Sequence, residues 1–106
     1  MNARRRAFIS TVIETNLTTI LHALGDPVRL AIVRELADDG TRACGTFTHL
    51  GVSHSTLSHH FRVLRDAGLI ETQADGQRRL NTLRRDELDA AFPGLLDAVL
   101  GGAVHA

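Results

Sequence analysis

The chain has no lysine, tryptophan or tyrosine, and its one cysteine is Cys44. A single thiol excludes an intramolecular disulfide framework and fits a reducing compartment. Four phenylalanines are the whole aromatic complement, so the core has to be built mainly from Leu, Ile, Val and Ala. No apolar run approaches the length of a membrane-spanning helix, and no membrane partner is expected. Arg5-Arg6-Ala7-Phe8-Ile9 looks like part of a twin-arginine export signal. Such a signal also needs an uninterrupted apolar stretch, and Glu14, Thr15 and Asn16 interrupt it almost at once. The segment therefore reads as a cytoplasmic helix start or a basic tail. There is no phosphate-binding glycine loop and no His-Glu pair at zinc-protease spacing, so no enzyme is expected.

What is present is unevenly spread. The 106 residues suit one compact domain, residues 1–106, and their formal charge sums to zero. From Thr41 to Thr82, however, five arginines face the three acids Asp66, Glu71 and Asp75, with four histidines added. From Leu83 onward two arginines face four acids. Nucleic-acid binding is a regional property, so the basic middle matters more than the sum. The neutral total predicts modest non-specific affinity.

Apolar residues from Phe8 to Leu24 recur at helical spacing, with a break expected near Asn16 and an end at Gly25. Asp26-Pro27 opens a second helix, Asp as cap and Pro at the first helical position. Its expected buried stripe is Leu30, Val33, Leu36 and Ala37, and Asp38-Asp39-Gly40 stops it. Arg42 to Gly45 reads as a short strand and Thr46 to Leu50 as a short helix broken by Gly51. Ser53 caps a helix to about Ala67, with Leu57, Phe61 and Leu64 inward and Gly68 closing it. Leu69–Thr72 and Arg79–Leu83 read as strands joined through Ala74-Asp75-Gly76-Gln77, a strong hairpin signal. Asp86 to Leu100 is helical with an interruption at Pro93-Gly94. The expected fold class is mainly α with a small β-hairpin, arranged as a winged helix-turn-helix.

The Ser-capped helix carries an outer face of His54, Ser55, Thr56, Ser58, His59 and Arg62. These side chains hydrogen-bond, and most are short or planar. Short polar groups let a helix backbone approach base edges and phosphates, and the helix N-terminus favours phosphate oxygens. Gln77, Arg78 and Arg79 in the hairpin suit a neighbouring groove or phosphate strand. Together with Ser53 these are the candidate DNA-binding residues. A polar outer face is also the default for a surface helix, and Ser53 would serve as a cap in any case. His60 lies beside the apolar stripe and reads as a half-buried, satisfied histidine. The alternative function is a winged-helix protein–protein interaction module without DNA binding, in which Leu69-Ile70 and the hairpin face a partner protein.

The stretch Leu24-Gly25-Asp26-Pro27-Val28-Arg29-Leu30-Ala31-Ile32-Val33 resembles the opening motif of the ArsR family of bacterial metalloregulators and their relatives. Gly51 to Ile70 (GVSHSTLSHHFRVLRDAGLI) resembles the same family's recognition helix and the chain entering its wing. The similarity runs in order from about Leu17 to Leu83. It implies a homodimeric, sequence-specific repressor that binds a palindromic operator in double-stranded DNA and leaves it when a signal arrives. It also implies a core at residues 17–83 and a dimer built from the flanking helices, here residues 1–16 running into Leu24 and residues 86–100.

Metal-sensing members of that family carry thiolates at the start of the helix before the recognition helix, where Cys44 falls. Their pattern is a cysteine pair, and this sequence has Arg42 and Ala43 where a partner would stand. A lone thiolate is a poor site for a soft metal. The last helix offers Asp86, Asp89 and Asp97, but its nearest histidine is His105. No metal and no cofactor are expected. Cys44 reads first as a small buried hydrophobe; its sharper reading is a candidate redox sensor with Arg42 nearby.

Overall fold

The computed structural model describes residues 17–101. They form α1 (Leu17–Leu24), α2 (Pro27–Asp39), β1 (Arg42–Ala43), a 3-10 segment (Cys44–Leu50), α3 (His54–Asp66), β2 (Ile70–Asp75), β3 (Arg78–Leu83), α4 (Arg85–Ala91) and a π-helical turn (Asp97–Gly101). The part of the expected first helix before Leu17 lies outside the described residues.

Asp26 starts α2 as the sequence leads one to expect. Its Oδ2 accepts from the backbone N–H of Val28 at 2.9 Å and of Arg29 at 3.1 Å, and Pro27 sits at the first helical position. The buried stripe of α2 differs from expectation. It is Arg29, Ile32, Val33 and Leu36; Leu30 is only partly buried and Ala37 is exposed. Positions 29, 32, 33 and 36 follow the i, i+3, i+4, i+7 pattern of one helix face, so an arginine completes the stripe.

The 3-10 segment kinks at Phe47 (φ −107°, ψ 17°), whose ring is fully buried. Gly51, at φ 77°, turns the chain into α3. The helix closes with paired bonds, Leu69 N–H to the Leu64 carbonyl and Gly68 N–H to the Arg65 carbonyl, each 3.0 Å. Gly68 stands at φ 81°, the left-handed geometry this closing motif requires of its first residue beyond the helix.

The three strands pair antiparallel in the order β1-β3-β2. Register runs from Ile70↔Leu83 to Asp75↔Arg78, which leaves Gly76 and Gln77 as a two-residue turn. Gly76 has φ 63°, as primed hairpin turns require at their first central position. This tight turn carries the ladder three residues further along β2 than the expected Leu69–Thr72, although the tip residues are exposed. Leu69 itself stays outside the strand, fully buried in the helix closure. β1 is only Arg42–Ala43, shorter than the expected Arg42–Gly45, because the 3-10 segment begins at Cys44.

The core lies between α1, α2, the inner face of α3 and the base of the sheet. Phe47 and Phe61 meet edge to face at 5.3 Å, among Ile20, Ile32, Val33 and Leu64. Fully burying a Leu or Phe side chain stabilises by about 2–3 kcal/mol, so these few residues fix how α3 is seated. Leu88 before the interruption at Pro93-Gly94, and Leu96 and Leu100 after it, bury the C-terminal elements.

Candidate nucleic-acid interface

α3 is held from two sides. Its inner pole is Leu57, His60, Phe61 and Leu64. The buried Arg29 side chain donates from Nε to the Ala23 carbonyl at 2.7 Å and from Nη2 to the His22 carbonyl at 3.4 Å. Its Nη1 lies 3.1 Å from His60 Nδ1. A guanidinium only donates, so His60 accepts through Nδ1 and carries its proton on Nε2. One side chain thus ties the end of α1, the start of α2 and the middle of α3. Burial pushes the His60 imidazole below its ordinary value; Arg29 and His59 add to that, and Asp26, with Oδ2 at 3.9 Å, opposes it. Asp26 in turn sits low, chiefly through its bond from the Arg29 backbone N–H, helped by His60 and Val28 against an opposing effect of burial.

The second clamp holds the 3-10 segment. Arg42 Nη1 donates to Glu35 at 2.5 Å and to Asp39 at 3.1 Å, while Nη2 donates to the Thr46 carbonyl at 2.6 Å. The same guanidinium covers the Phe47 ring at 4.1 Å. His49 Nε2 lies 2.9 Å from Glu35 Oε2. Burial pushes the Glu35 carboxyl up, but the bonds and charges of His49 and Arg42 outweigh it and leave it low. Arg42 is therefore committed to acids and to Phe47. The Cys44 sulfur accepts instead from Asn81 Nδ2 at 3.1 Å, and Cys44 is half-buried.

The expected DNA-facing residues fall into three groups. Ser53 and Thr56 meet in the helix cap: Ser53 Oγ accepts from the Thr56 N–H at 3.2 Å and donates to Thr56 Oγ1 at 2.9 Å. Ser55, His59 and Arg62 form the pole of α3 opposite the core, all exposed. Asp66 continues that pole one turn on, so its basic character ends at Arg62. His54 and Ser58 lie on the flank facing the wing. There they share a cleft of about 790 Å³ with Gln77, Arg78 and Arg79, and its floor reaches Cys44 and Phe61. Arg78 pairs with Asp75 across the hairpin turn at 2.9 Å.

Arg65 also lines this cleft and was missed by reading the outer face alone. The signal was available: His54, Ser58, Phe61 and Arg65 are spaced by four, three and four, one stripe of a helix. Among the described residues no group of three or more His, Cys, Asp or Glu is placed to hold a metal.

A helix-turn-helix whose second helix presents polar residues beside an arginine-bearing β-hairpin defines a winged helix-turn-helix DNA-binding protein. Residues 26–72 match the model of the bacterial regulatory protein, arsR family. The chain is 37% identical over 82 residues to the HTH-type transcriptional regulator YceK of Bacillus subtilis, covering 76% of this chain and 82% of that one. It is 38% identical over 73 residues to the arsenical resistance operon repressor of Staphylococcus xylosus, covering 69% and 70% of the two chains. HlyU from Vibrio cholerae superposes with a TM-score of 0.62 at 32% identity, over 69% of this chain and 79% of its own. The chain belongs to the arsR family of bacterial regulatory proteins and is a DNA-binding transcriptional regulator.

Proposed function

We propose that this regulator is a cytoplasmic homodimeric repressor that binds a palindromic operator and is released from it by a signal. The observation that carries the DNA-binding surface is the outer pole of α3. Ser55, His59 and Arg62 stand exposed there, and Arg62 has no ion pair among the described residues. They face base edges in the major groove. Ser53 and Thr56 hold the N-terminus at which a phosphate is received, and His54 and Ser58 approach the adjoining backbone. Gln77, Arg78 and Arg79 bring the wing onto the neighbouring phosphate strand. Leu17 and Leu21 support the dimer: they are 40% and 44% exposed on α1, large apolar side chains that a second copy would cover. Repression is supported by the relative named as an operon repressor.

Selection of bound duplexes from a random-sequence library tests the reading. The expected product is an inverted repeat with half-sites one helical turn, about 34 Å, apart. Light scattering should give a dimer at micromolar concentration, and Leu21→Glu should shift it to monomer with loss of tight binding. Enrichment of single, unrepeated sites by a monomeric protein would refute the dimeric repressor.

A further inference from the structure

The geometry points to a phosphate seat between Arg65 of α3 and Arg79 of β3, in which the wing and the recognition helix grip one backbone phosphate of bound DNA. The inference rests on the DNA-binding reading above and adds Arg65 to its residues.

Two clefts meet at the junction of helix and wing. The larger, about 790 Å³, runs along the wing-facing flank of α3; the smaller, about 330 Å³, is lined by Arg65, Thr72, Ala74 and Arg79. Arg65 and Arg79 line both, so the two clefts meet at this pair. No aspartate or glutamate lines either one. Neither side chain has a hydrogen bond or ion pair to a described residue. This sets them apart from Arg29, Arg42, Arg78 and Arg85, each engaged with an acceptor. Two guanidiniums in an acid-free concavity repel each other unless an anion lies between them. A phosphate oxyanion suits both, since each guanidinium offers a fork of donors to it. The open trough continues from His54 and Ser58, so its natural source of phosphate is the duplex already lying on α3.

Cys44 supplies a reporter, because it lines the larger cleft and is the chain's one thiol. The probe is a mixed-sequence 30-base-pair duplex, since a phosphate contact carries no sequence information. Arg65→Ala should weaken binding about tenfold and flatten the slope of log affinity against log salt by about one per bound protomer. Arg65→Lys should restore most of that slope, which a purely structural role would not require. Arg65→Ala/Arg79→Ala should lose less than the product of the single effects, because both side chains hold one group. Bound duplex should slow alkylation of Cys44 by iodoacetamide in the wild type and not in the double variant.

Unchanged affinity and salt slope in a folded Arg65→Ala protein would overturn the seat, and fully multiplicative single effects would overturn its being shared. Protection of Cys44 by inorganic phosphate at matched ionic strength, with none from duplex, would assign the seat to a free anion and overturn the DNA assignment. A wild type that binds no duplex at all would instead remove the DNA-binding reading itself, and the seat with it.

Discussion

Two regions of this molecule bring arginine against the same helix with opposite results. At the junction of α1, α2 and α3, Arg29 is buried, with two carbonyl oxygens and an imidazole nitrogen within 3.4 Å and the Asp26 carboxyl close by. At the junction of α3 and the wing, Arg65 and Arg79 face space that no carboxylate lines. The difference is in the acceptors. A guanidinium with a bond at each of its three nitrogens is a strut, and removing it leaves the buried Ala23 carbonyl bare. A guanidinium facing an open, acid-free surface adds little to folding and remains available to a ligand.

The largest effect should come from breaking the strut. Arg29→Met keeps the unbranched stem of the side chain but orphans the Ala23 carbonyl and His60 Nδ1. It should cost about 3 kcal/mol or more of stability, read by urea denaturation. A loss under about 1 kcal/mol would show that the junction is held by packing alone. On the opposite face, Arg62→Ala should leave stability within about 0.5 kcal/mol of wild type. The same change should lower affinity for the selected operator about tenfold and weaken discrimination between sites. If it destabilised the fold as much as Arg29→Met, the contrast between the two arginine environments would fail.

Ser53 lies between these cases, expected at the DNA yet engaged in the cap. Ser53→Ala should cost about 1 kcal/mol of stability, because the N–H of Thr56 loses its acceptor. Ser53→Asp, another good cap, should recover that stability while placing a negative charge at the proposed phosphate contact, so the stability and binding readouts should part.

The smallest effect is a pH dependence at the strut. The folded state holds His60 neutral, mainly through burial and then Arg29 and His59, against Asp26. Above the ordinary imidazole value, about 6.5, both folded and unfolded chains are neutral there and the group is silent. Below it the unfolded chain takes up the proton first, so stability falls with pH until the folded-state value is reached. Thermal melts between pH 7.5 and 5.5 should show this decline. His60→Asn, whose Oδ1 can accept from Arg29, should flatten it. The window stays above the range in which Asp26 and Glu35 titrate, so a decline that persists in His60→Asn would place its origin elsewhere.

Much of the fold was legible in the sequence, for local reasons. The Asp26-Pro27 start of α2, the Ser53 cap, the closure at Gly68 and the Asp75-Gly76 turn each depend on residues within a few positions of one another. Leu57, Phe61 and Leu64 repeat at helical spacing, so the inner face of α3 was legible too. The burial of Arg29 was not, because a lone arginine on an apolar stripe becomes tolerable only when carbonyls from another helix and an imidazole 31 residues away supply its acceptors. The length of the wing strands depended on register, which the turn sets and polarity does not reveal.

The same division applies to the candidate interface. By itself the sequence determined that the basic surface would centre on the helix after Gly51 and on the hairpin, because residue type and helical phase are local properties. Only the tertiary structure decided how that set is divided: Ser53 and Thr56 bonded to each other, Ser55, His59 and Arg62 on the outer pole, His54 and Ser58 turned toward the wing. It also decided that Arg65 joins Arg79 across a cleft free of acids, while Arg42 is neutralised by Glu35 and Asp39. Whether an arginine is strut or ligand group depends on which acceptors surround it, and in this protein those acceptors come from other elements of the fold.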